Sequence, residues 1–400
     1  MASAQSQEDQ VLEEETSFVR ILTLNRPRQL NALSAQMISR LLELFQRYET
    51  DSNVKLLILK GKGRAFCAGG DVAAVVRGIN EGDWISGAKF FSKEFILNYL
   101  MATYTKPQVS ILNGIVMGGG AGVSIHGRFR VATENSVCNT ALFLVIKVFA
   151  MPETALGLFP DIGASYFLSR LPGFFGEYVG LTGARLDGAE MRACGLATHF
   201  VPSSRLALLE EALYKVNSSD PAVISAVIDK FSLEPYLKDH SAYHWMDVID
   251  KCFSRRTVEE ILSALESEST NRADAWISDA IQSLKKASPT SLKISLRSIR
   301  EGRLQGVGQC LIREYRMVCH VMMGEVSKDF FEVCNPFKCA HGCRAILLDK
   351  DKNPKWKPSK LELVNDNMVD QYFSKINDDR WEDIKLPARS NLPATAIAKL

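Results

Sequence analysis

The chain has 400 residues, 46% of them hydrophobic and 24% charged, an ordinary globular composition that can bury a large core and excludes long disorder. Its formal net charge of +2, without a strongly basic or acidic run, gives no footprint for nucleic acid or for adsorption to a membrane surface. The longest apolar run, Ala141 to Met151, is too short to cross a bilayer and is interrupted by Lys147, so no membrane insertion is expected.

Residues 1–16 carry Glu8, Asp9, Glu13, Glu14 and Glu15. They lack the basic start and apolar stretch of a secretory signal and are too acidic for a mitochondrial one, so they read as a disordered tail. Phe18 to Leu24 alternates apolar and polar residues and predicts a strand. Ser34 caps a helix over Ala35 to Tyr48, with Met37, Leu41, Leu42 and Phe45 on one face. Val54 to Leu59 reads as a short buried strand, followed by a helix over Trp84 to Tyr104 and strands at Gln108 to Leu112 and Phe129 to Ala132. This alternation predicts an α/β domain over residues 17–201 with right-handed crossovers. Helical spacing at Leu206 to Val216, Val258 to Leu265, Arg272 to Leu284, Leu292 to Ile299 and Val307 to Met323 predicts a mostly helical region over 202–386. A tail over 387–400 closes the chain.

The nine cysteines come without a secretion context and read as reduced thiols. Cys334, Cys339, His341 and Cys343 are residue types that bind zinc, but their spacing is not that of a finger or ribbon, and no metal is expected. Ala398-Lys399-Leu400 is a close variant of the Ser-Lys-Leu address. The expected partner there is the peroxisomal import receptor, and the expected location the peroxisome.

Two glycine turns stand out, Phe66-Cys67-Ala68-Gly69-Gly70-Asp71 and Met117-Gly118-Gly119-Gly120-Ala121-Gly122, each shortly after a predicted strand. Each on its own can be a plain strand-to-helix link. If a helix starts at the second, its free N–H groups and dipole face whatever sits there. Two N–H groups converging from separate turns make an oxyanion hole. The spacing is neither a phosphate loop nor Gly-x-Gly-x-x-Gly, and no Gly-x-Ser-x-Gly elbow supplies a serine nucleophile. Chemistry then falls to carboxylates, water or a thiol. Cys67 reads as a small buried filler and His126 as a packed structural histidine.

With these turns, Leu24-Asn25-Arg26-Pro27 and Leu30-Asn31-Ala32-Leu33 resemble the opening signature of the crotonase (enoyl-CoA hydratase/isomerase) superfamily. The resemblance implies a ββα spiral core with a mostly helical C-terminal region, an acyl-CoA substrate, and the N–H groups of Gly70 and Gly119 as oxyanion donors. Hydratases of that superfamily carry a Glu two residues beyond the third glycine of the second turn; here Gly122 stands there, which counts against hydration. Ser124 to Glu134, Met151 to Asp161 and Asp349 to Pro358 resemble segments of the 3-hydroxyisobutyryl-CoA hydrolase family.

That resemblance implies Glu153 as the catalytic carboxylate, acting as base on water or as nucleophile, and Asp161 as ligand of the substrate's 3-hydroxyl or proton shuttle to the leaving thiolate. It implies Glu94 as a substrate-contacting acid. The implied reaction is hydrolysis of 3-hydroxyisobutyryl-CoA in valine breakdown, with no cofactor beyond the CoA of the substrate. It leaves the oligomeric state open, a homo-oligomer included. A hydratase or isomerase of the same fold is the alternative. Two stretches, 138–148 and 333–341, look inserted. The first lies between the second glycine turn and Glu153, where an apolar insertion can displace the acid and leave a CoA-binding chain with impaired turnover.

Overall fold

The computed structural model describes residues 9–80, 83–134, 149–272, 274–330, 353–389 and 392. Strands β1 (Val11–Thr16), β2 (Val19–Leu24), β3 (Leu56–Gly61), β5 (Gln108–Leu112), β7 (Phe129–Ala132) and β9 (His199–Phe200) form one sheet in that order. A smaller sheet is ordered β4 (Ala65–Cys67), β6 (Ile115–Met117) and β8 (Phe149–Ala150). β1 is antiparallel to β2; the other pairings in both sheets are parallel.

The chain repeats one unit. Residues 62–64 carry β3 into β4, and residues 113–114 carry β5 into β6. A helical segment follows each small-sheet strand: α1 (Ala35–Thr50) precedes the first unit, α2 (Val72–Asn80) and α3 (Trp84–Ala102) follow β4, α4 (Gly119–Gly122) follows β6, and a 3-10 turn over Glu153–Leu156 follows β8. The result is a ββα spiral. Next come α5 (Ala164–Leu168), α6 (Phe175–Thr182) and α7 (Gly188–Cys194).

The central strands β2, β3 and β5 are buried on both faces along almost their whole length. Alternate residues go to opposite sides. Leu22, Leu24, Leu57 and Leu59 enter the main core with Met37, Leu41 and Phe45 of α1. Val19, Ile21, Leu56, Ile58, Val109 and Ile111 enter a second core. That core is covered by Leu209 and Leu213 of α8 (Leu206–Tyr214) and by Ile224 and Ile228 of α9 (Pro221–Asp229).

The C-terminal part continues with α10 (Met246–Phe253), α11 (Val258–Asn271), α12 (Ala275–Lys286), α13 (Pro289–Gly302), α14 (Val307–Met323) and α15 (Asp366–Phe373). It does not stand apart from the spiral. α14 packs along α3, where the Phe95 and Tyr315 rings meet edge to face with centroids 6.5 Å apart.

The structure corrects several expectations. Val11–Thr16 is not a disordered tail but an edge strand, in register from Val11↔Leu24 to Thr16↔Val19. Its acids had suggested disorder, yet Glu13 is held by Arg40, Arg47 and Tyr48 of α1. The tail expected from residue 387 is tied back through Arg389, whose guanidinium reaches Glu49 at 2.8 Å and the Thr103 hydroxyl at 3.0 Å. The predicted helix from Arg272 begins only at Ala275, because α11 runs on to Asn271. The 138–148 and 333–341 stretches, the Cys334, Cys339, His341, Cys343 group and Ala398-Lys399-Leu400 lie outside the described residues.

Candidate active site

The three segments singled out in the sequence follow the three strands of the small sheet. Gly69-Gly70 leave β4, Gly118-Gly119 leave β6, and Glu153 comes shortly after β8. Because these strands are parallel neighbours, their C-terminal ends lie along one edge, and the segments converge there.

The first turn is pinned by a parallel bridge between Leu33 and Gly70. Leu33 donates to the Gly69 carbonyl at 2.8 Å and accepts from Asp71 N at 2.9 Å. In that pattern residues 69 and 71 bond Leu33, and the N–H of Gly70 is left facing the other way. Gly118 has φ 45 and ψ −120, a conformation that side chains resist, and it turns β6 sharply into α4. The N–H of Gly119 then stands in the first position of that short helix, where no helical carbonyl accepts it. Neither N–H has a backbone acceptor among the described residues.

Close approach explains the glycines as much as dihedral freedom does. A methyl on Gly119 would sit 2.9 Å from Gly70 N and 2.6 Å from Glu94 Oε1. On Gly118 it would sit 2.8 Å from Glu153 Oε1, and on Gly120 2.2 Å from the Cys67 carbonyl oxygen. The two donors are therefore adjacent, with Glu94 and Glu153 beside them.

Three acids surround this point, and all are buried: Glu94 at 1% exposure, Glu153 at 5% and Asp161 at 4%. Glu94 comes from the middle of α3, Glu153 from the start of the 3-10 turn after Pro152, and Asp161 from the loop before α5. Loss of water pushes the Glu94 and Glu153 carboxyls each up to about 8. Asp161 is raised as well, by burial first and then by the charges of Glu153, Glu94 and Glu314. Oε1 of Glu94 and Oε2 of Glu153 have no hydrogen-bond partner among the described residues. Burial also raises the Cys67 thiol to about 12, so it is no nucleophile at neutral pH.

The Asp161 loop is held from two sides. Ile162 has φ 57, rare for a β-branched residue, and Gly163 has φ 80. Glu314 of α14, wholly buried, accepts from Gly163 N at 2.6 Å, Ser165 N at 2.9 Å and the Ser165 hydroxyl at 2.5 Å. His126 bonds the Ile162 carbonyl through Nε2 at 2.7 Å, so that nitrogen carries the proton. Burial holds the His126 ring down at about 4, hence neutral. It is a structural histidine, as its place in the sequence suggested.

The structure thus brings together every residue expected at the site: Gly70, Gly119, Glu94, Glu153 and Asp161. Sequence reasoning missed Glu314, which a helix of ordinary amphipathic spacing conceals, and Asn98. The Asn98 side chain is wholly buried one helical turn beyond Glu94, with neither amide atom partnered among the described residues.

A ββα spiral with two backbone donors facing buried acids at one strand-end edge defines the class of enzyme, and the comparisons agree. A family model described as enoyl-CoA hydratase/isomerase matches residues 19–373, and the chain belongs to that family. The crystal structure of a carnitinyl-CoA dehydratase from Mycobacterium thermoresistibile matches with a TM-score of 0.81 at 32% identity, covering 96% of this chain and 100% of that one. Within the family its place is among the 3-hydroxyisobutyryl-CoA hydrolases. The protein named 3-hydroxyisobutyryl-CoA hydrolase 1 of Arabidopsis thaliana is 69% identical over 100% of both chains. The probable 3-hydroxyisobutyryl-CoA hydrolase 3 of the same plant is 66% identical over 98% of both.

Proposed function

We propose that this chain hydrolyses 3-hydroxyisobutyryl-CoA to the free acid and CoA. The observation that carries the mechanism is the convergence of two backbone N–H groups, without a backbone acceptor among the described residues, with a buried carboxylate at the ends of three parallel strands. The thioester oxygen lies between the Gly70 and Gly119 N–H groups, which stabilise the negative charge that develops on it. Glu153, once ionised, either removes a proton from the attacking water or attacks the carbonyl carbon itself. On the second route the C–S bond breaks to give an enzyme anhydride, which water then opens. On either route the thiolate leaves as CoA-SH with a proton from Asp161, whose raised proton affinity suits it to that task. Glu94 contacts the acyl group beside Gly119.

Thioester hydrolysis transfers no electrons, and the two N–H groups supply the electrophilic assistance, so this chemistry calls for no metal or redox group. Gly122 supports hydrolysis over hydration. A carboxylate there has no room, since even a methyl would lie 2.8 Å from Asn98 Nδ2 and 2.9 Å from Ile162 Cβ. The proposal is tested by a thiol-release assay with a panel of acyl-CoAs. Free CoA-SH from 3-hydroxyisobutyryl-CoA supports it; consumption of an enoyl-CoA without thiol release would favour a hydratase.

The proposal places this reaction in valine breakdown and extends to peroxisomal import through Ala398-Lys399-Leu400. A fluorescent fusion ending in that tripeptide should enter peroxisomes, and one lacking it should not.

A further inference from the structure

The position that would hold the second acid of a hydratase has been refilled. Asn98 and Ile162 both close on Gly122, the first with its amide nitrogen and the second with its branched side chain. Ile162 directly follows Asp161, and Asn98 lies four residues beyond Glu94 on the same face of α3. The Asn98 amide nitrogen therefore stands at Gly122 together with the side chain next to Asp161, one helical turn from Glu94. It is 0% exposed, and neither Nδ2 nor Oδ1 has a hydrogen-bond partner among the described residues. A buried amide left in that state is costly unless something else satisfies it. Oε1 of Glu94 and Oε2 of Glu153 are likewise buried without a hydrogen-bond partner among the described residues.

An amide donates through Nδ2 and accepts through Oδ1. A hydroxyl group likewise both donates and accepts, whereas a methyl does neither. We infer that Asn98 is a specificity-determining residue that binds the 3-hydroxyl of the acyl group. This inference rests on the proposed hydrolysis and sharpens it. With the hydroxyl held by Asn98, Asp161 is left for proton transfer to the leaving thiolate.

The test compares kcat/KM for 3-hydroxyisobutyryl-CoA and for isobutyryl-CoA, the same thioester without the hydroxyl. Asn98→Leu keeps the branched shape of the side chain and removes both polar atoms. The ratio of the two kcat/KM values, which expresses the preference for the hydroxylated substrate, should fall roughly ten- to a hundredfold. Equal losses on both substrates would overturn the inference, because a structural or water-holding role touches both alike. If Asn98→Leu does not fold, as judged by circular dichroism, Asn98→Ala gives the same readout: an unchanged substrate ratio there overturns the assignment. Failure of the unmodified chain to release thiol from any acyl-CoA would instead overturn the proposed hydrolysis, and this inference with it.

Discussion

Replacing Glu153 with Gln should remove activity and, at neutral pH and above, make the protein more stable. The carboxyl is 5% exposed and Oε2 has no partner among the described residues. Burial raises it from an ordinary 4.5 to about 8. The unfolded chain therefore ionises from pH 4.5 upward while the folded chain keeps its proton until about pH 8. The stability contributed by this group is at its greatest below pH 4.5, declines as pH rises, and levels off above pH 8. At about 1.4 kcal/mol per tenfold change in proton affinity, the cost approaches about 3 kcal/mol at pH 7 and about 5 kcal/mol above pH 8. Glutamine does not ionise and escapes this cost. Denaturant unfolding followed by tryptophan fluorescence should show the two proteins nearly equal at pH 5 and the variant more stable by roughly 3 kcal/mol at pH 7. In parallel, kcat should drop by about 10²–10⁴-fold. A stability difference that does not vary with pH, or a variant less stable at pH 8.5, would refute the reasoning. Retained activity would sink the catalytic role of Glu153.

Four further outcomes are expected. Because Glu153 must be ionised to act, kcat/KM should climb with pH to a limb near pH 8 and fall again when Asp161, needed protonated, loses its proton; a flat profile from pH 6 to 9 would contradict the role of Glu153. Gly119→Ala should cost about 10²–10³ in kcat, since the added methyl meets Gly70 N and Glu94 Oε1, while the circular dichroism spectrum stays unchanged. Glu314→Gln keeps one acceptor oxygen but turns an amide donor toward donors at the Asp161 loop. It should lose about 1–3 kcal/mol in stability and lower kcat more than it changes KM. Excision of 138–148 should leave kcat within about threefold, a free-energy change below 1 kcal/mol, because β8 is anchored beyond that stretch. Its Phe149 and Ala150 pair with Val116 and Met117, and Phe149 exchanges two backbone bonds with Leu186, so Glu153 keeps its place; a large rise in turnover on excision would contradict this.

The parts of the site that the sequence disclosed are those whose chemistry is local. Gly118-Gly119-Gly120 announces a backbone approach that few other triplets allow, and Pro152-Glu153 marks an acid at the start of a turn. The large sheet was readable because Leu56 to Leu59 is apolar on both faces and Val109, Ile111 and Leu112 make a short apolar run before Asn113-Gly114. β4, β6 and β8, two or three residues each, are too short for any periodicity, so the sheet that aligns the catalytic segments was invisible. β1 was hidden by its acids, of which Glu13 finds its partners on α1, distant in sequence. Asn98 and Glu314 were missed for a related reason. Each sits on a helix that reads as core or surface by spacing alone, and each acquires meaning from a neighbour on another element, Gly122 in one case and Gly163 in the other.

The three consecutive glycines of the second turn also govern how this sequence can change. Gly118 is confined by Glu153, Gly119 by Glu94 and the opposite turn, and Gly120 by the carbonyl of Cys67. Since the three obstacles belong to different elements, no single compensating substitution relieves more than one of them. A lineage that loses any one glycine has no short route back to a working site. The triplet is thus expected to outlast almost every other segment as the chain diverges, even where substrate preference moves on.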